Sequence, residues 1–278
     1  ADPDDEDVQS LLARWESEEG GPNSGWDYIA VARLWLRAGR AAQAEMALME
    51  AEASGEIPPS ILLLDQARVA FMAGQRDLAT EAYWKGCEDA GETAYKEYWL
   101  DVEALATPAE LEDWDRFRRL PITQTDLCRH LRVFWNERAL AAAMEPGERL
   151  SVLYARTRFA LDNYRRRGNL KGPTFSYRLG RPTNSAYDAR GLLYIRMGEP
   201  DRTPSFGGNP AIGQQAVSAE CHQPNESWAY DYPGTTRVYH LSTMTGTDDY
   251  WLIENLGLVY RCGDPAASLA GTSGAAIS

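Results

Sequence analysis

The sequence feature that most constrains the fold is an internal repeat with an offset of 35 residues in the first half of the chain. Residues 32–40 align with residues 67–75, so that Gly39 matches Gly74. The match continues at four alanines, pairing Ala44 with Ala79 and Ala47 with Ala82. Glycine ends a helix in a left-handed turn without strain, and alanines let a second helix approach closely. The pattern therefore predicts two successive helical hairpins.

A third, weaker unit follows the two repeats. Residues 93–106 carry aromatic and aliphatic residues at helical spacing. Thr107, Pro108 and Glu110 then have the order of an N-cap, a first helical residue and the end of a capping box. Residues 8–15 predict a leading helix. The first half is thus expected to be helical throughout.

These repeats resemble the tetratricopeptide repeat family, whose period is near 34 residues. The resemblance covers roughly residues 26–118. It implies stacked antiparallel helix pairs with a concave face that binds peptides or partner proteins.

The rest of the chain changes from a helical to a strand-like pattern. Residues 124–144 and 147–165 predict two long helices. Residues 191–198 form a short apolar run between glycines and predict a buried strand, and residues 202–225 predict a long loop. Alternating residues predict two hairpins, pairing 227–232 with 236–241 and 250–254 with 258–262.

The expected fold class is α+β, with helical hairpin repeats, two connecting helices and a small, mainly antiparallel β domain. The expected boundaries are 1–120 for the repeat domain, 121–170 for the connecting helices and 171–264 for the β-rich domain. Residues 265–278 are rich in Ala, Gly and Ser and predict a flexible tail.

The second half resembles the GWxTD domain family over roughly residues 125–260. Four blocks carry the resemblance, at residues 134–138, 154–159, 189–201 and 226–231. The five name-giving positions fall on Ser-Ala-Tyr-Asp-Ala at 185–189, so the member is divergent. The family-motif residues are Arg190, Gly191, Gly198, Glu199, Pro200, Asp201, Trp228 and Tyr230. The resemblance implies a bacterial extracytoplasmic protein, often joined to tetratricopeptide repeats, and it implies no activity.

The net charge of the chain argues against nucleic acid as a partner. The chain has a formal net charge of -13, and residues 1–120 carry 26 acidic against 11 basic side chains. Nucleic-acid binding needs clustered Lys and Arg, so an acidic first half argues against it. No apolar run reaches the length of about 18 residues that a transmembrane helix needs.

Four cysteines bear on the compartment. Cys87, Cys128, Cys221 and Cys262 are widely spaced and form no CxxC pair. They permit two disulfides in any of three connectivities, or four buried thiols. The chain begins at Ala1 without an initiator Met, as a mature secreted chain does. We therefore expect a periplasmic, secreted or cell-surface location.

No catalytic motif is present. The three histidines lie in different segments, and the sequence has no HExxH, GxSxG, Walker A or GxGxxG pattern. Asp188, Glu199, Asp201 and Asp231 are weak candidates for a calcium site or an acid/base pair. The competing interpretation is turn chemistry, with Asp188 capping or pairing with Arg190.

The expected function is that of a non-enzymatic scaffold or structural subunit without a cofactor, acting through protein partners or self-assembly. One alternative is a peptide-binding adaptor that uses residues 26–118. A second alternative is a carbohydrate-binding, calcium-binding or hydrolytic module that uses the carboxylates and aromatics of residues 188–231.

Overall fold

The computed structural model describes residues 22–88, 90, 92–117, 124–166, 187–203, 224–243 and 249–253. The fold is α+β, with helices followed by a small three-stranded antiparallel sheet. The chain divides into two compact units, and the boundary in the sequence lies between Asn163 and Tyr164. The leading helix, the strand at 258–262, the tail, Cys221 and Cys262 all lie outside the described residues.

The described helices of the first unit are α1 (Gly25–Arg37), α2 (Ala41–Ala53), α3 (Pro59–Met72), α4 (Arg76–Glu88), α5 (Glu92–Glu103), α6 (Pro108–Phe117), α7 (Gln124–Ala141) and α8 (Pro146–Asn163). The second unit contains α9 (Ala189–Met197), β1 (Asn225–Tyr232), β2 (Thr235–Thr243) and β3 (Tyr250–Ile253). Along the described segments, no helix is both long enough and apolar enough to cross a membrane.

The first four helices pack as two pairs, α1 with α2 and α3 with α4. The turn within each pair is closed in the same way. Gly39 and Gly74 have φ values of 75° and 77°. The residue after each glycine donates its backbone N–H to the carbonyl five residues earlier, from Arg40 to Trp35 at 2.9 Å and from Gln75 to Ala70 at 2.8 Å. Both turns are therefore Schellman motifs, 35 residues apart.

The predicted capping box at the start of α6 is confirmed. The backbone N–H of Thr107 donates to the Glu110 carboxylate at 2.7 Å, and the backbone N–H of Glu110 donates to Thr107 Oγ1 at 3.3 Å. Arg138 of α7 also bonds the same carboxylate, at 2.7 Å. Glu110 thus fixes the start of α6 and connects it to α7.

A disulfide joins Cys87 of α4 to Cys128 of α7. Both side chains are buried, and 41 residues separate them in sequence. On the chain-entropy account, a cross-link closing a loop of this length stabilises the folded state by roughly 3–4 kcal/mol. The bond therefore holds the second pair of helices against α7.

The prediction of a buried strand at 191–198 is wrong, because this segment is the helix α9. The side chain of Asp188 caps it by accepting hydrogen bonds from the backbone N–H groups of Arg190 and Gly191. Ala189, Leu192 and Leu193 are buried at helical spacing. A short apolar run fits either element, and here the cap decides in favour of the helix.

The predicted hairpin between β1 and β2 is confirmed, with Gly234 in its turn at a φ of 81°. The sheet order is β1-β2-β3, and both neighbouring pairs are antiparallel. The core of the second unit packs the sheet onto α9. Its buried members are Ala189, Leu193, Trp228, Tyr230 and Leu241.

The helix predicted at 124–144 ends at Ala141, and its C-terminal turn contains a strained residue. Ala143 has a φ of 53°, in the left-handed region that favours glycine. The backbone N–H of Met144 donates to the carbonyl of Ala139 at 2.9 Å, as in the turns after Gly39 and Gly74. Ala143 therefore occupies the position that glycine occupies in those two turns.

We expect Ala143→Gly to stabilise the protein by about 0.5–1 kcal/mol. Relief of the left-handed strain stabilises the folded state by about 1–2 kcal/mol. Glycine also increases the conformational freedom of the unfolded chain, which offsets part of that stabilisation. The measurement is the free energy of unfolding in urea. Ala142→Gly is the matched control, because Ala142 does not have a positive φ, and it should be neutral or destabilising. Equal effects of the two changes would contradict the strain at Ala143.

Candidate functional site

The four candidate carboxylates do not converge on one site; they are Asp188, Glu199, Asp201 and Asp231. Asp188 is buried at the start of α9, whereas Glu199 and Asp201 are exposed. Asp201 accepts a hydrogen bond from the backbone N–H of Asp231 at 2.7 Å, and Asp231 pairs with Arg202 at 2.8 Å. Within the described ranges, no group of three or more His, Cys, Asp or Glu is arranged to hold a metal ion.

Asp188 connects three parts of the second unit. Besides capping α9, its carboxylate pairs with Arg190 at 2.6 Å and accepts from the backbone N–H of Tyr250, the first residue of β3, at 3.1 Å. Burial raises the pKa of Asp188 above its ordinary value, although the hydrogen bonds and charge of Arg190 oppose the shift. The residue therefore acts as a structural anchor between α9 and the sheet.

Arg190 lies at the centre of this cluster. Its guanidinium is 3.8 Å from the ring centroid of Tyr250 and 5.2 Å from that of Tyr164. It also pairs with Glu226 at 3.3 Å, and Glu226 accepts from the Trp228 indole at 3.1 Å. Burial alone would lower the pKa of Arg190, but the hydrogen bond and charge of Asp188 outweigh it and raise that pKa.

The remaining family-motif residues build the core of the second unit. The Tyr230 hydroxyl donates to the carbonyl of Gly198 at 3.0 Å, and Gly198 has a φ of 89°. A Cβ on Gly191 would lie 2.6 Å from the Cβ of Tyr187. Trp228 and Tyr230 are buried. Their faces are therefore not presented to a sugar, which removes the basis for a carbohydrate platform at these two residues.

A serine–histidine pair lies across β1 and β2. Ser227 Oγ is 2.8 Å from His240 Nδ1, and the two residues are directly opposite in the register. Burial lowers the pKa of His240. Ser227 is only 3% exposed, so a substrate cannot reach its hydroxyl. The pair is a cross-strand hydrogen bond.

Asn225 is buried at the start of β1, where it is the first residue of an Asn-Glu-Ser tripeptide. N-linked glycosylation needs an accessible asparagine in a surface segment. The folded strand does not offer that amide to a modifying enzyme.

Within the described residues of the first unit, a network of charged side chains connects α1, α3 and α5. We call this network the charged ladder. It consists of Arg33 on α1, Asp65 and Arg68 on α3, and Glu97 and Asp101 on α5. The two arginines pair alternately with the three carboxylates. The distances are 2.8 Å for Arg33–Asp65, 2.9 Å for Arg33–Glu97, 3.1 Å for Arg68–Asp65, 3.4 Å for Arg68–Glu97 and 3.2 Å for Arg68–Asp101.

A residue from α8 completes the charged ladder. The Tyr154 hydroxyl donates to Asp101 at 2.7 Å, and the Tyr154 ring stacks on Phe71 with 4.7 Å between centroids. Arg158, one turn further along α8, lies against the turn at Gly39. The chain's own helix α8 thus contacts α3 and α5 at the face that carries the ladder.

Burial sets the electrostatics of the ladder. It raises the pKa of Asp101 and of Tyr154, although Arg68 pulls both the other way. For Arg68, burial alone would lower the pKa, but Asp101 and Asp65 outweigh it and raise that pKa. Arg68 therefore stays charged, and its partners determine the cost of burying it.

The 35-residue repeat contains one sequence signal for the charged ladder. Arg33 and Arg68 occupy equivalent positions of the 35-residue repeat, directly after Ala32 and Ala67. An arginine that recurs on the same face of two repeats indicates a shared partner. The partners themselves, Asp65 and Asp101, carry no repeat signal.

A comparison of the chain with protein-family models, with curated proteins and with solved structures finds no match.

We expect the stability advantage of the native chain over Asp188→Asn to shrink as the pH rises from about 4. Asparagine keeps the helix cap but removes the charge. A carboxyl with a raised folded pKa contributes most below its unfolded pKa, and this contribution is lost as the pH rises through the folded pKa. The measurement is the free energy of unfolding of both proteins across pH. Asp188→Ser, another uncharged cap, should give the same trend, and a constant or growing advantage would contradict it.

We expect Tyr154→Phe to destabilise the protein by about 1–3 kcal/mol, because it removes a donor from the buried Asp101 carboxylate. Tyr98→Phe is the matched control, since the Tyr98 hydroxyl donates to a neutral acceptor, the carbonyl of Tyr83, at 2.8 Å. The control should cost only about 1 kcal/mol. Urea unfolding measures both. A Tyr154→Phe effect no larger than that of Tyr98→Phe would show that the ladder does not depend on α8.

Proposed function

We propose that this protein is a non-enzymatic scaffold or structural subunit of an extracytoplasmic or cell-surface assembly, and that it acts through protein–protein contacts. The observation that carries the proposal is a set of apolar side chains directed outward from helices whose other faces are packed. On α2, Met46 and Met49 are 67% and 63% exposed. On α7, Val133 and Leu140 are 53% and 83% exposed.

The spacing of these residues supports a contact surface on each helix. Met46 and Met49 are three residues apart, and Val133 and Leu140 are seven apart, so each pair lies on one helix face. An open cleft of about 450 Å³ adjoins Val133, lined also by Glu88 and Arg132. Single exposed apolar residues are ordinary, whereas contiguous exposed apolar patches mark surfaces that bind other proteins.

The charged ladder disfavours the peptide-binding alternative. An adaptor of the helical-repeat type needs unsatisfied polar groups or open pockets on its groove to hold an extended peptide. Here the arginines and carboxylates of the first helices are paired with one another, and Tyr154 of α8 occupies part of the same face. This supports contacts made by other faces of the protein.

We also propose that the first unit belongs to the tetratricopeptide class and that the second half is a divergent GWxTD domain of bacterial origin. The matching Schellman motifs at Gly39 and Gly74 support the first assignment. For the second, the motif residues Arg190, Gly198 and Tyr230 have specific structural partners in the core of their unit. The Cys87–Cys128 disulfide supports an oxidising location.

The test is the mass of the protein isolated gently from its native source, with chemical cross-links mapped by mass spectrometry. We expect a complex larger than the monomer, with cross-links close to α2 or α7. Thiols alkylated before lysis should leave Cys87 and Cys128 recovered as one disulfide-linked peptide pair. A clean monomer would contradict the scaffold, and alkylated Cys87 and Cys128 would contradict the location.

Variants sharpen the same experiment. Met46→Ser with Met49→Ser, or Val133→Ser with Leu140→Ser, should release companions, because each double change removes an apolar contact surface. Glu45→Ser is the matched control on α2, since Glu45 is exposed beside Met46. Complexes that persist in both double variants would exclude these two faces as contact surfaces.

A further inference from the structure

Among the described residues, every buried charged side chain except one has an ion-pair partner. Among the charged side chains that are less than a tenth exposed, four have an ion-pair partner: Asp65 with Arg33, Asp101 with Arg68, Asp188 with Arg190, and Asp249 with Arg166. The exception is Arg149, which is 8% exposed. No carboxylate of the described residues forms an ion pair with it.

The charges around Arg149 are of the same sign. Burial lowers the pKa of Arg149, and the guanidinium groups of Arg156 and Arg138 lower it further. Glu145 and Glu148 are close in sequence, but both are exposed. Arg138 is already engaged by Glu110 at 2.7 Å. Among the described residues, no carboxylate therefore compensates the charge of Arg149 directly.

The position of Arg149 within its helix makes a positive charge there still less favourable. It lies in the first turn of α8, where the helix dipole presents a partial positive charge. Long side chains of a helix lean towards its N-terminus, so the guanidinium extends over that same turn. A cation is unfavourable there, whereas an anion is favourable.

We propose that Arg149, at the start of α8, forms a binding site for a small oxyanion group, either a phosphate or a carboxylate. Arg149 is 8% exposed and has no ion-pair partner among the described residues, and a bound oxyanion would supply the negative charge that its guanidinium lacks. The planar guanidinium donates two parallel hydrogen bonds to such a group. With only 8% of Arg149 exposed, a single anionic head reaches it, and a larger polyanion such as a nucleic acid does not.

The oxyanion has two possible sources, a free ion such as phosphate or a carboxylate of a partner polypeptide. The experiment therefore uses two probes, inorganic phosphate and acetylated tetraglutamate, each titrated into the full chain by calorimetry in chloride buffer at constant ionic strength. We expect at least one probe to bind. Phosphate binding alone indicates a free ion, and binding of tetraglutamate alone indicates a polypeptide carboxylate.

Variants decide whether Arg149 is the binding group. Arg149→Met should weaken binding at least about tenfold, which corresponds to about 1.4 kcal/mol. Methionine replaces the unbranched aliphatic part of the arginine side chain and removes its charge, so this variant should remain folded. Arg149→Lys should weaken binding less, because it keeps the charge but lacks the planar fork.

Arg76→Met is the matched control. Arg76 is exposed on α4 and pairs with Asp77 at 3.4 Å, so its loss should leave binding unchanged. Two results would overturn the site. One is that neither probe binds the native chain, and the other is that binding is the same in Arg149→Met as in Arg76→Met. Neither result depends on whether the protein forms a larger assembly.

Discussion

The first unit depends on the burial of one guanidinium, that of Arg68. Taking this charge out of water costs several kcal/mol, and the carboxylates of two helices, α3 and α5, offset the cost together. Apolar packing alone would let helix pairs slide past each other by a turn. The ion pairs between helices, from Arg33 to Asp65 at 2.8 Å and from Arg68 to Asp101 at 3.2 Å, hold only in one register. The charged ladder thus specifies how the hairpins stack, even where its net contribution to stability is small.

Local signals account for the parts of this fold that the sequence predicts. The turns at Gly39 and Gly74 need a left-handed residue, and the start of α6 needs Thr107 and Glu110 at fixed spacing. Such features are complete within about six residues of sequence. Apart from Asp65 and Arg68, which are three positions apart on α3, the pairs of the charged ladder join residues that are 29 to 64 positions apart. Only the recurrence of arginine at the two repeat positions pointed to it, and nothing local identified its partners.

The error at α9 has a physical cause. Residues 191–198 are apolar and bounded by glycines, which fits a strand as well as one face of a short helix. The outcome depends on Asp188, whose side chain satisfies two backbone N–H groups that an isolated nine-residue helix would leave open. The bonds from Asp188 to Arg190 and to the backbone of Tyr250 then fix that cap against the sheet. A cap that is also the centre of a tertiary cluster cannot be recognised from hydrophobic periodicity.

The distribution of arginine connects the fold to its partners. The chain has 28 basic and 41 acidic side chains, and several of its arginines are used internally. Arg68 pairs within the ladder, Arg138 holds the start of α6, and Arg190 ties α9 to the sheet. Each of these arginines has a carboxylate partner, so the internal ion pairs leave the formal net charge of -13 unchanged. We therefore expect polyanions to be repelled at long range, and the partner contacts that we propose use apolar side chains such as Leu140 or single anionic groups at Arg149.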